Sequence, residues 1–175
     1  MTPAGHVAVT CVVALVVTAA MDLWAAFLHG FAWHGVLWAI HRTHHAPRRG
    51  RFERNDALSG LHAPIAVVLI IGGSRAHAGL LRDAALGVGA GMTAFGALYL
   101  LIHDGLVHAR LPVQRLATLP VLRAIVAAHR EHHRCGRAPY GILFGPWELA
   151  LSRRRRRAAS TRRSRRPTPP RSGTP

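Results

Sequence analysis

Cysteine and glutamate are scarce in this sequence, and each scarcity excludes a class of site. The two cysteines, Cys11 and Cys135, lie far apart and form no CxxC pair. A disulfide framework and a cysteine-ligated metal site are therefore not expected. The three glutamates are too few for a soluble di-iron bundle, which takes carboxylates from several helices. The zinc-protease motif HExxH and a glycine-rich dinucleotide motif are also absent.

Lysine is absent, so all 23 basic residues are arginines, and with seven acids they give a formal net charge of +16. Ten of them lie in the last 24 residues, which contain no acid, so 13 arginines against seven acids leave +6 for residues 1–151. This composition predicts a disordered arginine-rich tail over 152–175 after a membrane-embedded domain over 1–151. Dense basic blocks also bind nucleic acid. Beside membrane segments we expect this one to lie on anionic lipid headgroups, and we expect no nucleic-acid partner.

Apolar runs predict an all-α integral membrane protein with three to four transmembrane helices. The runs cover residues 7–28, 57–73 and 84–102, and the first is long enough to cross a bilayer. The third is rich in glycine and alanine, which lets helices approach closely in lipid. Residues 111–128 are typical of an interfacial helix. Residues 31–40 are too short to span alone, and a fourth span exists only if residues 31–56 turn back into the membrane.

The distribution of arginine predicts the orientation in the membrane. Residues 41–56 hold five arginines and the part after 103 is arginine-rich, whereas the 74–83 link holds two. By the positive-inside rule the 41–56 loop and the C-terminal third, including the tail, face the cytoplasm. We therefore expect an integral membrane protein with these segments on the cytoplasmic side of the membrane.

Ten of the 13 histidines fall into four short motifs at the ends of the apolar runs. They are His29 and His34 in HGFAWH, His41, His44 and His45 in HRTHH, His103 and His108 in HDGLVH, and His129, His132 and His133 in HREHH. With this topology all ten meet at one membrane face, the cytoplasmic one. His6, His62 and His77 match no such motif.

The spacing of these histidines indicates a metal site. Positions i, i+3 and i+4 of a helix share a face, so each HxxHH is expected to direct three imidazoles the same way. The HxxxxH pairs lie about 140° apart on an ideal helix and fit best where a helix bends or ends, which Gly30 and Gly105 would permit. Imidazole binds iron, zinc, copper and nickel, and ten imidazoles suit two ions of about five ligands each.

Four polar residues near the histidines are candidates for supporting roles. A ligating imidazole usually donates its second N–H to an oxygen acceptor, and Asp104, Asp56 and Asn55 are the candidates. We expect no catalytic residue beyond the metal ligands and these three. Asp22 is charged within an apolar run, which is costly in a membrane. It either faces the site or lies solvated at the interface.

The order HxxxxH, HxxHH, HxxxxH, HxxHH between apolar runs resembles the membrane fatty-acid hydroxylase and sterol desaturase superfamily. Three segments are similar to its bacterial β-carotene 3-hydroxylase branch. They are HRTHHAPRRGRFERNDAL at 41–58, GAGMTAFGALYLLIHDGLVHAR at 89–110, and AAHREHH at 127–133 followed by YGILFGP at 140–146. The resemblance covers roughly residues 20–147 and omits the basic tail.

This resemblance implies a membrane-bound non-haem di-iron monooxygenase whose ten motif histidines bind two iron ions. It implies O2-dependent hydroxylation of β-carotene at positions 3 and 3′, giving β-cryptoxanthin and zeaxanthin, and possible use of canthaxanthin to give astaxanthin. Electrons would come from a separate protein such as reduced ferredoxin.

Two alternatives stay open. One is a fatty acid or sterol hydroxylase or desaturase of the same superfamily, for which a larger cytoplasmic region after the last histidine motif is expected. The other is not an enzyme but a membrane metal-binding or carrier protein. A carrier is expected to place histidine or carboxylate ligands in mid-span, where this sequence has almost none.

Overall fold

The computed structural model describes residues 1–47, 50 and 52–164, and the regular structure in that part of the chain is entirely helical. The helices are α1 (Pro3–Leu28), α2 (Trp38–His41), α3 (Asp56–Ser59), α4 (Ala63–Arg75), α5 (Leu80–Tyr99), α6 (Pro120–Cys135) and α7 (Gly145–Ser164). Short π-helical turns continue α1 through His29–Trp33 and α5 through Leu100–Val107. The expected all-α class is confirmed.

Three helical stretches are long and apolar enough to cross a membrane. They are Pro3–Trp33, Asp56–Arg75 and Leu80–Val107, with mean hydropathies of 2.2, 1.7 and 1.8. Most of their side chains point outward, as expected for helices whose apolar surface faces lipid. Within the described residues no fourth span is found, because the described part of 31–56 forms only short helical turns.

Helix α5 lies between α1 and α4, and its glycines set the distance to both. A Cβ at Gly91 would lie 2.6 Å from the carbonyl oxygen of Ala14 in α1. A Cβ at Gly89 would lie 3.0 Å from the carbonyl oxygen of Ala66 in α4. The close helix approach expected from the glycine content is therefore confirmed.

Helix α6 covers the histidine end of the bundle. Pro120 occupies its first turn, where the missing N–H is harmless, and Gly136 ends it in the left-handed conformation at φ +63°. Its apolar face buries Ile125 and Val126 against the segment that follows α5. The interfacial helix expected over 111–128 is thus a 3₁₀ turn at Gln114–Thr118 followed by α6.

Helix α7 differs from the expectation of disorder from residue 152 onward. It runs to Ser164, so residues 152–164 are helical, and the five arginines 153–157 lie exposed on it. Arginine and alanine are strong helix formers, and Glu148 in the first turn favours the helix N-terminus. Residues 165–175 lie outside the described residues, and the division into a domain and a tail stays a prediction.

Candidate metal centre

The two HxxxxH pairs lie on the π-helical turns. The N–H of His34 donates to the carbonyl of His29 at 3.0 Å, and that of His108 donates to the carbonyl of His103 at 3.0 Å. These i→i+5 bonds are those of a π-helix, and they bring residues five apart onto one side. The ring centroids of the two pairs lie 5.2 and 4.6 Å apart. The helices therefore widen at these motifs, where the sequence suggested that they bend or end.

The glycines inside these pairs allow close packing. A Cβ on Gly30 would lie 2.9 Å from the ring of Tyr140, and one on Gly105 would lie 2.7 Å from Val113. Both glycines are needed because another side chain covers the π turn directly.

The histidines converge in two groups. Group A is His29, His34, His41, His45 and His132, and group B is His44, His103, His108 and His129. Within each group, one ring nitrogen of every imidazole lies within 4.8 Å of the others. Such spacing could hold one metal ion in each group.

Each HxxHH motif contributes to both groups, contrary to the expectation that its three imidazoles point the same way. His41 and His45 belong to group A but His44 to group B, and His129 and His132 likewise divide between the groups. Adjacent helical residues project about 100° apart, which separates His44 from His45. Residues three apart still differ by about 60°, which divides His41 from His44 and His129 from His132. The motif thus lies between two sites and supplies both.

His133 is the tenth predicted ligand and lies between the groups. Its Nε2 is 3.1 Å from Nε2 of His129 in group B. Its ring centroid lies 4.4 Å from that of His45 and 4.8 Å from that of His44. The structure therefore brings all ten predicted histidines together, and His133 is placed to complete a set of five with group B.

Neutral oxygen acceptors orient three imidazoles of group A. Nδ1 of His29 donates to the carbonyl of Tyr140 at 3.1 Å, and Nδ1 of His132 donates to the carbonyl of Arg137 at 2.8 Å. Nδ1 of His41 lies 2.7 Å from Oδ1 of Asn55. These acceptors fix the proton on Nδ1 and leave Nε2 as a bare lone pair.

Carboxylates perform this role in group B. Nδ1 of His44 donates to Oε2 of Glu53 at 3.3 Å, and Nδ1 of His103 donates to Oδ1 of Asp104 at 2.7 Å. Arg110 pairs with both carboxylates, at 3.0 Å from Glu53 and 3.3 Å from Asp104.

The resulting lone pairs face each other. Nε2 of His29 is 3.0 Å from Nε2 of His41, and Nε2 of His44 is 3.0 Å from Nε2 of His103. Two bare lone pairs at this distance repel unless a cation lies between them. A donor set of neutral imidazoles with oriented Nδ1–H groups therefore fits a transition-metal ion in each group.

Burial keeps these imidazoles unprotonated at neutral pH, so a proton does not relieve the repulsion between their lone pairs. Outside the spans, burial together with neighbouring imidazoles lowers the pKa of His132 to about 4 and of His45 and His133 to about 3. Burial also lowers the pKa of His41, to about 4. The charged form of imidazole is unfavourable without water, so these side chains are neutral at that pH.

The three predicted supporting residues occupy different positions. Asn55 and Asp104 each contact a motif histidine, as described above. Asp56 contacts none; it pairs with Arg110 at 2.7 Å and accepts the N–H of Glu53 at 2.9 Å. Asp56 therefore lies behind the residues that contact the histidines and holds the loop that carries Glu53.

Sequence reasoning missed Glu53 and Arg110 as neighbours of the histidines. Both lie inside the segments that carry the resemblance, Glu53 in FERND and Arg110 two residues after HDGLVH. Their charge and their closeness to a histidine motif were the features of the sequence that could have indicated this role. The loop that brings them together is a tertiary feature.

Asp22 neither faces the histidines nor lies in solvent, so both expectations for it are wrong. It is 0% exposed, and its carboxylate accepts the backbone N–H groups of Ile142, Leu143 and Phe144 at 2.9, 3.0 and 2.9 Å. These groups precede α7, so Asp22 stabilises the entry to that helix.

Glu148 holds the preceding part of the same loop. Its carboxylate accepts the N–H of Tyr140 at 2.7 Å and that of Gly141 at 3.0 Å. Five consecutive backbone amides, 140–144, thus bind two carboxylates. The carbonyl of the first of them orients His29, so this loop connects Asp22 to group A.

An apolar cavity of about 290 Å³ lies between α1, α4 and α5 beside the histidines. Two aromatic walls of the cavity reach the two groups. Trp33 lies 5.4 Å from the ring of His29 in group A, and Tyr99 stacks at 4.3 Å on His103 in group B. Apolar cavities with few polar groups are the usual form of small-molecule sites.

The other three histidines lie outside both groups, as the sequence indicated. His6 pairs with the buried Asp83 between α1 and α5. His62 accepts the indole N–H of Trp24 at 3.0 Å and lines the cavity. His77 is exposed between α4 and α5.

Comparison with known proteins agrees with the sequence resemblance. The fatty acid hydroxylase family model matches residues 14–152. "Beta-carotene hydroxylase 2, chloroplastic" of Capsicum annuum is 44% identical over 131 residues, covering 74% of this chain and 42% of the relative. "Beta-carotene 3-hydroxylase, chloroplastic" of Haematococcus lacustris is 36% identical over 151 residues, covering 84% and 47%.

A bacterial relative is matched over most of its length. "Beta-carotene hydroxylase" of Pantoea ananas is 38% identical over 130 residues, which is 72% of this chain and 71% of the relative. The chain spans less than half the length of the chloroplastic relatives named above. No solved structure matches the chain significantly.

Proposed function

The chain belongs to the fatty acid hydroxylase family, and from that premise we propose that it is a membrane-bound oxidoreductase that hydroxylates the end rings of carotenoids. The proposed reaction converts β-carotene at positions 3 and 3′ to β-cryptoxanthin and zeaxanthin, as the names of the relatives suggest. The observation that carries the proposal is the pairing of two imidazole groups with an apolar cavity whose aromatic walls touch both.

Two iron ions are the proposed cofactor, one held by group A and one by group B with His133. When bound, they supply the O2 chemistry that acid–base side chains cannot supply at an unactivated C–H bond. In the overall reaction one oxygen atom of O2 enters the C–H bond. The other leaves as water, with two electrons from an external donor such as reduced ferredoxin and two protons from solvent.

The protein's own residues position the ligands and the substrate. The oxygen acceptors hold the imidazoles with Nε2 inward. Trp33 and Tyr99 separate the cavity from the two groups and limit how closely a ring approaches. Tyr99 is itself held between Ser59, at 3.3 Å, and Nε2 of His103, at 3.4 Å. The cavity volume lies at the small end of the usual range for small-molecule sites. It suits one end ring of a carotenoid, while the polyene chain extends among the spans.

The proposed location is the bacterial cytoplasmic membrane with the histidine groups and the arginine-rich C-terminus on the cytoplasmic side. The arginine distribution supports this orientation. Reporter fusions at the C-terminus test it. A reporter that is active only after export should be silent there, and activity of that reporter would reverse the orientation.

The function is tested by expressing the chain in a β-carotene-accumulating bacterium and separating the pigments by chromatography with mass detection. Zeaxanthin or β-cryptoxanthin is expected. Gly96→Leu should suppress product, because Gly96 lines the cavity and a Cβ there meets nothing within 4 Å, so the added side chain has room without strain. Gly72→Leu is the matched control: its Cβ is equally free, but it lies outside the cavity lining.

Unchanged β-carotene from a well-expressed, iron-loaded protein would contradict the proposed substrate. A ketolated carotenoid would then be tested, followed by fatty acyl and sterol substrates. Full product from the Gly96→Leu variant would contradict the assignment of the cavity.

A further inference from the structure

We propose that Glu53 and Asp104, joined by Arg110, make the two metal subsites unequal, so that group B binds its ion more tightly than group A. This inference rests on the proposed function, because it concerns the two ions that function requires. It assigns a positioning role to three residues that lie outside the ligand set.

The environment of group B is anionic. Glu53 and Asp104 accept the Nδ1 protons of two ligands, at 3.3 and 2.7 Å. Arg110 pairs with both, and with Asp56 at 2.7 Å. Three carboxylates and one guanidinium give this network a formal charge of −2. The side chains of Glu53, Asp104 and Arg110 are only 9%, 16% and 11% exposed, so water screens the charge weakly.

The environment of group A is neutral at the matching positions. For three of its imidazoles, His29, His132 and His41, the acceptors of the Nδ1 protons are the backbone carbonyls of Tyr140 and Arg137 and the side-chain oxygen of Asn55. Asp22 and Glu148 influence this group only through the backbone of the 140–144 loop. In these five imidazoles Nδ1 is therefore bonded to a dipole in group A and to a full charge in group B.

This difference acts on the metal through the imidazole ring. A carboxylate acceptor draws the Nδ1 proton outward, which raises electron density at Nε2 and makes it a stronger donor. The negative charge also stabilises a bound cation directly, and a ferric ion more than a ferrous one. Group B should therefore hold its ion more tightly and favour its oxidised form.

Arg110 prevents the two carboxylates from competing with the histidines for the metal. Its guanidinium occupies carboxylate oxygens on the side away from Nδ1, including Oδ2 of Asp104 and Oε1 of Glu53. Burial lowers the pKa of Arg110, but the carboxylates of Asp56, Glu53 and Asp104 raise it by more. The pKa of Arg110 therefore lies above its usual value. The guanidinium is consequently a permanent cation in this network.

The test is a titration of the purified, metal-free, full-length protein in detergent with Co²⁺, whose visible absorption reports each binding step. Two steps of different affinity are expected. Asp104→Asn and Glu53→Gln keep the shape but remove the charge, and each should weaken the tighter step about 10–100-fold while leaving the weaker step unchanged.

Asn55→Asp is the reciprocal variant, because Asn55 holds His41 of group A as Asp104 holds His103 of group B. It places a carboxylate on group A and should tighten the weaker step. A merely structural role for these residues would not give this gain. A fluorescence melting curve of each variant confirms that it is folded.

The outcomes separate this inference from the proposed function. Two ions bound with equal affinity, or variants that weaken both steps equally, would overturn the inequality and leave the two-ion centre intact. Binding of fewer than two ions by the folded protein would overturn both proposals.

Discussion

Asp22→Asn should release the 140–144 loop while leaving the fold of the three spans in place. In the native protein one oxygen of Asp22 accepts two backbone N–H groups and the other accepts the third. Asparagine keeps the size but replaces one oxygen with an N–H₂ group, which cannot accept. At least one buried backbone donor then loses its partner, and the remaining bonds lose the charge.

The magnitude follows from the strengths of these bonds. A hydrogen bond to a charged group contributes about 1.5–3 kcal/mol and a neutral one about 0.5–1.5 kcal/mol. Losing one bond of the first kind and converting the other two to the second kind destabilises the loop by about 3.5–6 kcal/mol. At full burial, with 0% of Asp22 exposed, no solvent is available to replace the lost contacts.

Hydrogen exchange measured by mass spectrometry reports this change directly. The amides of residues 140–144 should exchange about 300-fold to 20,000-fold faster in the variant, since each 1.4 kcal/mol is about tenfold in the opening equilibrium. Iron retention should fall as well, because the carbonyl of Tyr140 in this loop orients His29.

Asp83→Asn is the matched control. Asp83 is also a buried aspartate in a span, 1% exposed, but its partner is His6 and not the loop. It should leave exchange at 140–144 unchanged. Native-like exchange of these amides in a folded Asp22→Asn protein would refute the role assigned to Asp22.

Three further outcomes are expected. The metal-free protein should lose thermal stability as pH falls from about 6.5 toward 4. Its buried imidazoles, such as His132 with a pKa of about 4, bind fewer protons in this range than they do in the unfolded chain. A melting temperature that does not change between these pH values would contradict this prediction. Gly91→Ala should destabilise the bundle by about 1–3 kcal/mol through its contact with the Ala14 carbonyl, whereas Gly72→Ala, with open space around it, should not; equal melting temperatures would contradict the packing argument. His132→Ala should abolish product in the pigment assay, while truncation after Ser152 should leave most of it; full activity of His132→Ala would argue against the metal centre.

The spans and the gathering of the ten histidines could be predicted because they depend on local properties. Hydropathy locates the spans, and the motifs lie at their ends, so the topology alone brings them to one face. The division of the histidines into groups A and B could not be predicted this way. It depends on the direction of each side chain within a turn, as the separation of His44 from His45 illustrates.

The supporting residues show a second limit of sequence reasoning. Asn55 and Asp104 could be proposed because they are polar and close to motifs. Asp22 was recognised as unusual, but its partners lie about 120 residues away in the chain, in a loop whose backbone amides leave no mark on the sequence. Contacts made by backbone groups become visible only when the chain is folded.

The arrangement of the histidines also implies that a bound metal ion would contribute to the stability of the fold. The metal-free centre buries several imidazoles whose Nε2 lone pairs lie 3.0–3.2 Å from one another, which is repulsive, and burial discourages the protons that would relieve it. The outer hydrogen bonds prevent the rings from turning away, because each fixed Nδ1–H would lose its acceptor. A bound cation removes this repulsion without disturbing any of these bonds, and a ligand that binds only the folded state stabilises it. The same contacts that prepare the site for metal therefore make the metal-free protein less stable than its packing alone would allow.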